Sequence, residues 1–128
     1  MNRILLVCEK EKSAQALQTL LNRFLQAEIV RASQLQQAQA LLSREVFRLV
    51  IINLPFHGEN MEAFALTAAQ STSSGILLLC PQDSAQCLLE RCLPHGILVV
   101  SKPLSQPLFV QSLYLGLSTS ARLSELLQ

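Results

Sequence analysis

The chain has 128 residues, half of them hydrophobic and only 5% aromatic, with a formal net charge of +1. That length suits one domain with an aliphatic core and is short for two. Scattered Lys and Arg with a near-zero net charge supply no field for drawing in nucleic acid or an acidic membrane.

The apolar stretch Ile4–Val7 is too short for a signal peptide and precedes no cleavage pattern. No segment reaches the roughly 20 apolar residues of a membrane helix. The expectation is a soluble, cytoplasmic protein. Cys8, Cys80, Cys87 and Cys92 form no C-x-x-C pair and have no histidines at zinc spacing. They read as small buried hydrophobes in a reducing compartment, with metal or disulfide roles as the lesser alternatives.

Ile4 to Val7 predicts a strand, and Ser13 to Gln26 a helix with Ala14, Leu17, Leu21 and Phe24 on one face. Glu28 to Val30 predicts a short second strand. Ser33 and Gln36 have capping-box spacing, opening a helix that runs to about Arg44. Leu49 to Ile52 predicts the third strand, followed by a helix carrying Met61, Phe64, Ala65 and Ala68. Ile76 to Leu79 predicts the fourth strand, and Asp83 or Ser84 opens a helix that stops before Pro94. Ile97 to Val100 predicts the fifth strand, and a last helix starts at Ser105.

Unbroken Ile/Leu/Val strands alternating with helices imply a parallel sheet buried on both faces. Five such units with right-handed crossovers predict a three-layer doubly wound α/β domain over residues 1–118. Residues 119–128 then extend the last helix and are read as a possible linker to an output domain.

In a doubly wound sheet the residues that follow the strands meet on one rim. Here these are Cys8, Glu9 and Glu11 after the first strand, Asn53 after the third, Cys80 after the fourth, and Ser101-Lys102-Pro103 after the fifth. This set resembles the receiver domain of bacterial two-component response regulators (CheY-like), and the resemblance covers essentially the whole chain. It implies sheet order 2-1-3-4-5. In "ILLVCE" Cys8 replaces one carboxylate of the receivers' acidic pair and Glu9 retains the other. "LVIIN" puts Asn53 at the phosphoacceptor position, "ILLLC" puts Cys80 at the hydroxyl position, and "SKP" keeps the lysine as Lys102. Val99 stands at the aromatic switch position, and the resemblance implies a cis bond before Pro103.

Phosphoryl transfer to an aspartate needs an ionised carboxylate as nucleophile. The amide nitrogen of Asn53 is a hydrogen-bond donor and not a nucleophile. Mg²⁺ is held by carboxylates with phosphate and water oxygens, and Glu9 beside a thiol makes a poor cage; Glu11 is placed at a helix start, directed to solvent. Cys80 lacks the hydroxyl that would bond a phosphoryl group. A pseudo-receiver that is not phosphorylated, not an enzyme and free of metal or other cofactor is expected. Lys102 is expected to pair with Glu9 and donate to Asn53, closing a polar cluster, with contact to an unknown ligand as the alternative.

Cys8 and Cys80 end strands on either side of the third, about 9–10 Å apart, beyond disulfide reach. A Cys80–His57 hydrolase pair has no supporting signature, so His57 reads as a loop residue and His95 as a solvated turn residue. No glycine loop cradles phosphate.

The last helix carries Leu108, Phe109, Val110, Leu113 and Leu117, whose first part is expected to face the sheet. Leu123, Leu126 and Leu127 need cover from a second copy or a following domain. "IINLP" and "ILVVSKPLSQPLFVQSL" resemble degenerate receivers that precede ANTAR RNA-binding modules, which implies a transcription-antitermination regulator. RNA binding would belong to an ANTAR module and not to residues 1–128. The expected role is a regulatory protein-interaction module acting through helix four, strand five and helix five, as a homodimer or with a partner protein. The alternative is a small-ligand sensor that uses the vacant rim.

Overall fold

Hydrophobic runs with strand character alternate with amphipathic helices along the chain, and the computed structural model turns each into an element. It describes residues 2–127, with side chains described through residue 118. The elements are β1 (Asn2–Val7), α1 (Glu11–Phe24), β2 (Ala27–Ala32), α2 (Leu35–Arg44) and β3 (Leu49–Asn53), then α3 (Met61–Ser71), β4 (Gly75–Pro81), α4 (Gln82–Cys92), β5 (Leu98–Lys102) and α5 (Gln106–Leu127). A 3₁₀ turn, Leu93–His95, links α4 to β5 and ends at Gly96, whose φ of 77° is left-handed. The five strands form one sheet in the order β2-β1-β3-β4-β5, and every pairing is parallel.

Strand side chains alternate between faces, so each strand feeds two cores. Leu5, Val7, Val50, Ile52 and Leu78 pack with Ala38, Phe64, Ala65 and Leu88 on one face. Ile4, Leu6, Ile51, Leu77 and Leu79 pack with Leu17, Leu21, Phe109 and Leu113 on the other. The stretches Ile4–Val7, Leu49–Ile52 and Ile76–Leu79 of the central strands are buried, which is why they read as unbroken apolar runs. Truncating one such side chain, as in Ile51→Ala, costs about 2–5 kcal/mol through lost transfer energy and the cavity left behind.

The ends of the elements differ from expectation where backbone partners decide them. Helix α1 starts at Glu11, two residues before Ser13, with no side-chain cap; the Glu11 charge suits a helix N-terminus. The Ser33–Gln36 box does not form. Instead the Ser33 N–H donates to Gln37 Oε1 at 3.1 Å, because Gln37 and not Gln36 faces back over the first turn. Helix α4 begins at Gln82, directly after Pro81, and the Ser84 hydroxyl donates to the Pro81 carbonyl at 3.1 Å. Strands β4 and β5 pair through Cys80–Ser101 and Pro81–Lys102, so Cys80 lies within a strand and not after one.

Helix α5 sits close against the sheet at two glycines. A Cβ on Gly75 would collide with the Gly116 carbonyl, and one on Gly116 would lie 2.6 Å from Leu49 Cδ1. Phe109, Leu113 and Leu117 are buried, whereas Leu108 is 59% exposed, so the sheet-facing stripe omits Leu108. The side chains of Leu123, Leu126 and Leu127, and the cover expected over them, lie outside the described ones. Among the described residues no helix is long and apolar enough to cross a membrane.

Candidate functional site at the carboxyl rim

The carboxyl ends of β1, β3, β4 and β5 bring Cys8, Asn53, Cys80 and Lys102 to one rim. Asn53 is central. Its Oδ1 accepts from Lys102 Nζ at 3.1 Å, and its Nδ2 is directed at Cys8 Sγ at 3.5 Å. The amide thus meets a cation on its oxygen side and a soft acceptor on its nitrogen side, which fixes its orientation. The Cys8 thiol faces the Lys10 carbonyl at 3.5 Å. Lys102 also donates to the Leu54 carbonyl, one residue beyond Asn53.

The expected Lys102–Glu9 pair is not formed. Glu9 instead accepts from His57 through the ring Nδ1 at 2.8 Å and through the backbone N–H at 3.3 Å. The His57 ring hydrogen bond is the main reason the Glu9 carboxyl lies below its ordinary pKa. Glu9 stands two residues beyond β1 and leans over the loop that follows β3, away from the lysine. Glu11 is directed outward as expected, and accepts from Arg31 Nη1 at 2.6 Å and from Gln15 Nε2 at 3.2 Å.

Cys80 is fully buried, and its thiol faces the Val100 carbonyl at 3.7 Å. Burial pushes its pKa up, with the Lys102 charge opposing more weakly. A thiol held in its neutral form is no nucleophile. Val99 is half-buried against the core face shared by α3 and α4. The Lys102–Pro103 peptide is cis, and so is Leu54–Pro55. All four cysteines are free; Cys8, Cys80 and Cys92 are buried, whereas Cys87 lies exposed on α4, unlike the expectation for it.

Among the described residues no group of three His, Cys, Asp or Glu side chains is placed to hold a metal. The rim does not suit Mg²⁺. Its one carboxylate is drawn toward His57, the Asn53 oxygen is taken up by Lys102, and the thiols of Cys8 and Cys80 are soft, whereas Mg²⁺ demands an octahedron of hard oxygens. Asn53, Lys102, Cys8 and Glu9 hydrogen-bond one another or nearby backbone.

Two residues were not legible beforehand as parts of this site. His57 gave no signal beyond its place in a rim loop, and the Leu54 carbonyl is a backbone group that no side-chain pattern announces.

Comparison with known proteins agrees with this geometry at the level of the fold. No family model and no curated protein matches the chain. Among solved structures it is similar to the signal receiver domain of an HD domain-containing protein from Pseudomonas fluorescens Pf-5. That match has 25% identity and a TM-score of 0.84, covering 97% of this chain and 92% of the other. A CheY-like response regulator receiver domain protein from Methanospirillum hungatei JF-1 matches at 14% identity and TM-score 0.80, covering 95% and 98%. The chain has the receiver fold. A protein described as an adenylate cyclase from Rhodopirellula baltica also matches, with 16% identity, TM-score 0.84 and coverage of 98% and 94%. Such identity carries the receiver fold alone and no activity.

Proposed function

We propose that this chain is a receiver-fold regulatory module that signals through protein contacts and takes up no phosphoryl group. The observation that carries this reading is Asn53 at the end of β3, its oxygen bonded to Lys102 at 3.1 Å. The residue at the acceptor position is an amide, and the lysine that would greet a phosphoryl group is already engaged. Cys8 and the buried, neutral Cys80 remove the metal ligand and the hydroxyl. The module has no catalysis of its own.

Output passes through the α4-β5-α5 face, by self-association or to a partner protein. Leu108 is 59% exposed there beside a cavity of about 360 Å³ that Val99, Pro103 and Ser105 also line. Apolar side chains around a shallow pocket are what a docking surface offers. The link to transcription antitermination rests on the resemblance of Ile51 to Pro55 and of Ile97 to Leu113 to receivers that precede ANTAR modules; α5, continuing to Leu127, then leads toward that output.

The test is incubation with acetyl phosphate, and separately with beryllofluoride and Mg²⁺. The expected result is an unchanged mass and unchanged amide resonances at Asn53, Cys80 and Lys102. A phosphorylated adduct, or a saturable beryllofluoride-dependent shift at the rim, would overturn the proposal.

A further inference from the structure

Between α2 and α3 lies a cavity of about 650 Å³, within the size range of small-molecule sites. It exists because α3 faces α2 with mostly short side chains. Helix α3 presents Ala63, Thr67, Ala68 and Ser71 there, with Phe64 as the one large residue. Helix α2 buries only Ala38 and leans Leu35 and Leu42 over the gap. The floor is apolar and continuous with the core, since Phe64 and Ala68 are buried and Leu35 and Leu42 pack against the same cluster.

The polar groups around this floor are one acid, the amides of Gln39 and Asn60, and the hydroxyls of Ser43, Thr67, Ser71 and Thr72. Glu59 is the single charged residue in the lining. The Ser43 and Ser71 hydroxyls already give their protons to the Ala40 and Thr67 carbonyls, at 2.8 and 2.7 Å, so they offer oxygen lone pairs to a ligand. Asn60 Oδ1 is taken up by the Ala63 N–H at 3.0 Å, as the cap of α3. Arg44 stays out of the lining and turns to the Ala40 carbonyl at 3.3 Å. An apolar floor with a single acid at one end, and no cation in its lining, suits a ligand with an apolar body and a cationic head.

We propose that the α2–α3 groove binds a small amphipathic organic cation, an ammonium on an aliphatic chain or ring, with the ammonium at Glu59. This site is separate from the rim and does not rest on the reading that Asn53 takes up no phosphoryl group.

The test titrates n-hexylamine, n-hexanol and hexanoate into the ¹⁵N-labelled protein and follows amide shifts. The expected result is saturable shifts confined to α2, α3 and the loop before α3, with hexylamine about fivefold tighter than hexanol, the size of one exposed charge contact. Hexanoate is weakest. Glu59→Gln removes the preference for hexylamine over hexanol, and Ala63→Phe, at an exposed position, abolishes binding of all three. Hexanoate binding as tight as hexylamine overturns the proposal. So does saturation by none of the probes, which would leave the groove to a protein segment, or shifts that persist in a folded Ala63→Phe protein. If Ala63→Phe does not fold, Glu59→Gln decides alone, and an unchanged hexylamine preference overturns the proposal.

Discussion

Lys102 Nζ lies 3.1 Å from Asn53 Oδ1 and also donates to the Leu54 carbonyl, so one ammonium joins the end of β5 to the end of β3 across β4. Both acceptors are neutral. The ammonium is therefore held by dipoles and not by a counter-charge, and removing it leaves two partly buried acceptors without their donor. Lys102→Met is expected to cost about 1–3 kcal/mol, read as a lower urea midpoint with an unchanged slope. A midpoint equal to wild type would mean that the cluster contributes nothing to folding.

Replacing Asn53 by Asp supplies a carboxylate nucleophile and a counter-ion for Lys102 in a single change. The fold is expected to persist. Phosphorylation is not expected, because the Cys8 thiol and the Cys80 thiol still occupy the positions of a metal ligand and a phosphoryl hydrogen-bond donor. Beryllofluoride with Mg²⁺ should leave the spectrum of Asn53→Asp unchanged but should shift that of Cys8→Asp/Asn53→Asp/Cys80→Thr. A response from the single variant would show that the acceptor alone limits the site.

The course of the chain from β1 to β5 was legible because central parallel strands buried on both faces admit only apolar residues, and Leu49–Ile52 and Ile76–Leu79 obey that rule without exception. The arrival of Cys8, Asn53, Cys80 and Lys102 at one rim followed from the same topology. The partners on that rim were less legible. Formal charge pointed Glu9 to Lys102, yet the loop after β3 brings His57 to it at 2.8 Å. Sequence patterns report which residues lie inside, but the direction of a side chain in a loop depends on turns that periodicity does not record. The Ser33 cap shows the same limit, with Gln37 taking the place of Gln36.

The Glu9 carboxyl, hydrogen-bonded by His57, should titrate below the ordinary glutamate range. A folded-state pKa lowered in this way stabilises the protein above the unfolded-state pKa, and the contribution is lost as pH falls through the folded value. Carboxyl ¹³C titration should place Glu9 below the other glutamates that lack such a partner, and His57→Ala should return it to the ordinary range. The stability difference between wild type and His57→Ala should shrink on acidification through the folded Glu9 pKa. A Glu9 titration indifferent to His57→Ala would disprove the contact.

The close approach of α5 to the sheet makes Gly75 and Gly116 unequal. At Gly75 an added methyl meets a backbone carbonyl, which moves only with the whole helix. At Gly116 it meets the end of the Leu49 side chain, which can rotate. Gly75→Ala is expected to destabilise by about 3 kcal/mol and Gly116→Ala by less, near 1 kcal/mol, the two ends of the usual overpacking range. Urea unfolding of both variants checks the order, and the reverse order would contradict the seating of α5.

The four thiols should differ sharply in reactivity, because the thiolate is the attacking species and access to reagent is required. Cys80 and Cys92 are buried, and desolvation raises both pKa values. Cys8 is buried and turned toward the Lys10 carbonyl. Cys87 alone is exposed, on α4. Native protein treated with iodoacetamide at neutral pH should therefore gain one adduct quickly, mapping to Cys87, with the other three modified only on unfolding. Rapid alkylation of Cys80 would contradict both its burial and its neutral state, and would reopen the rim to thiol chemistry.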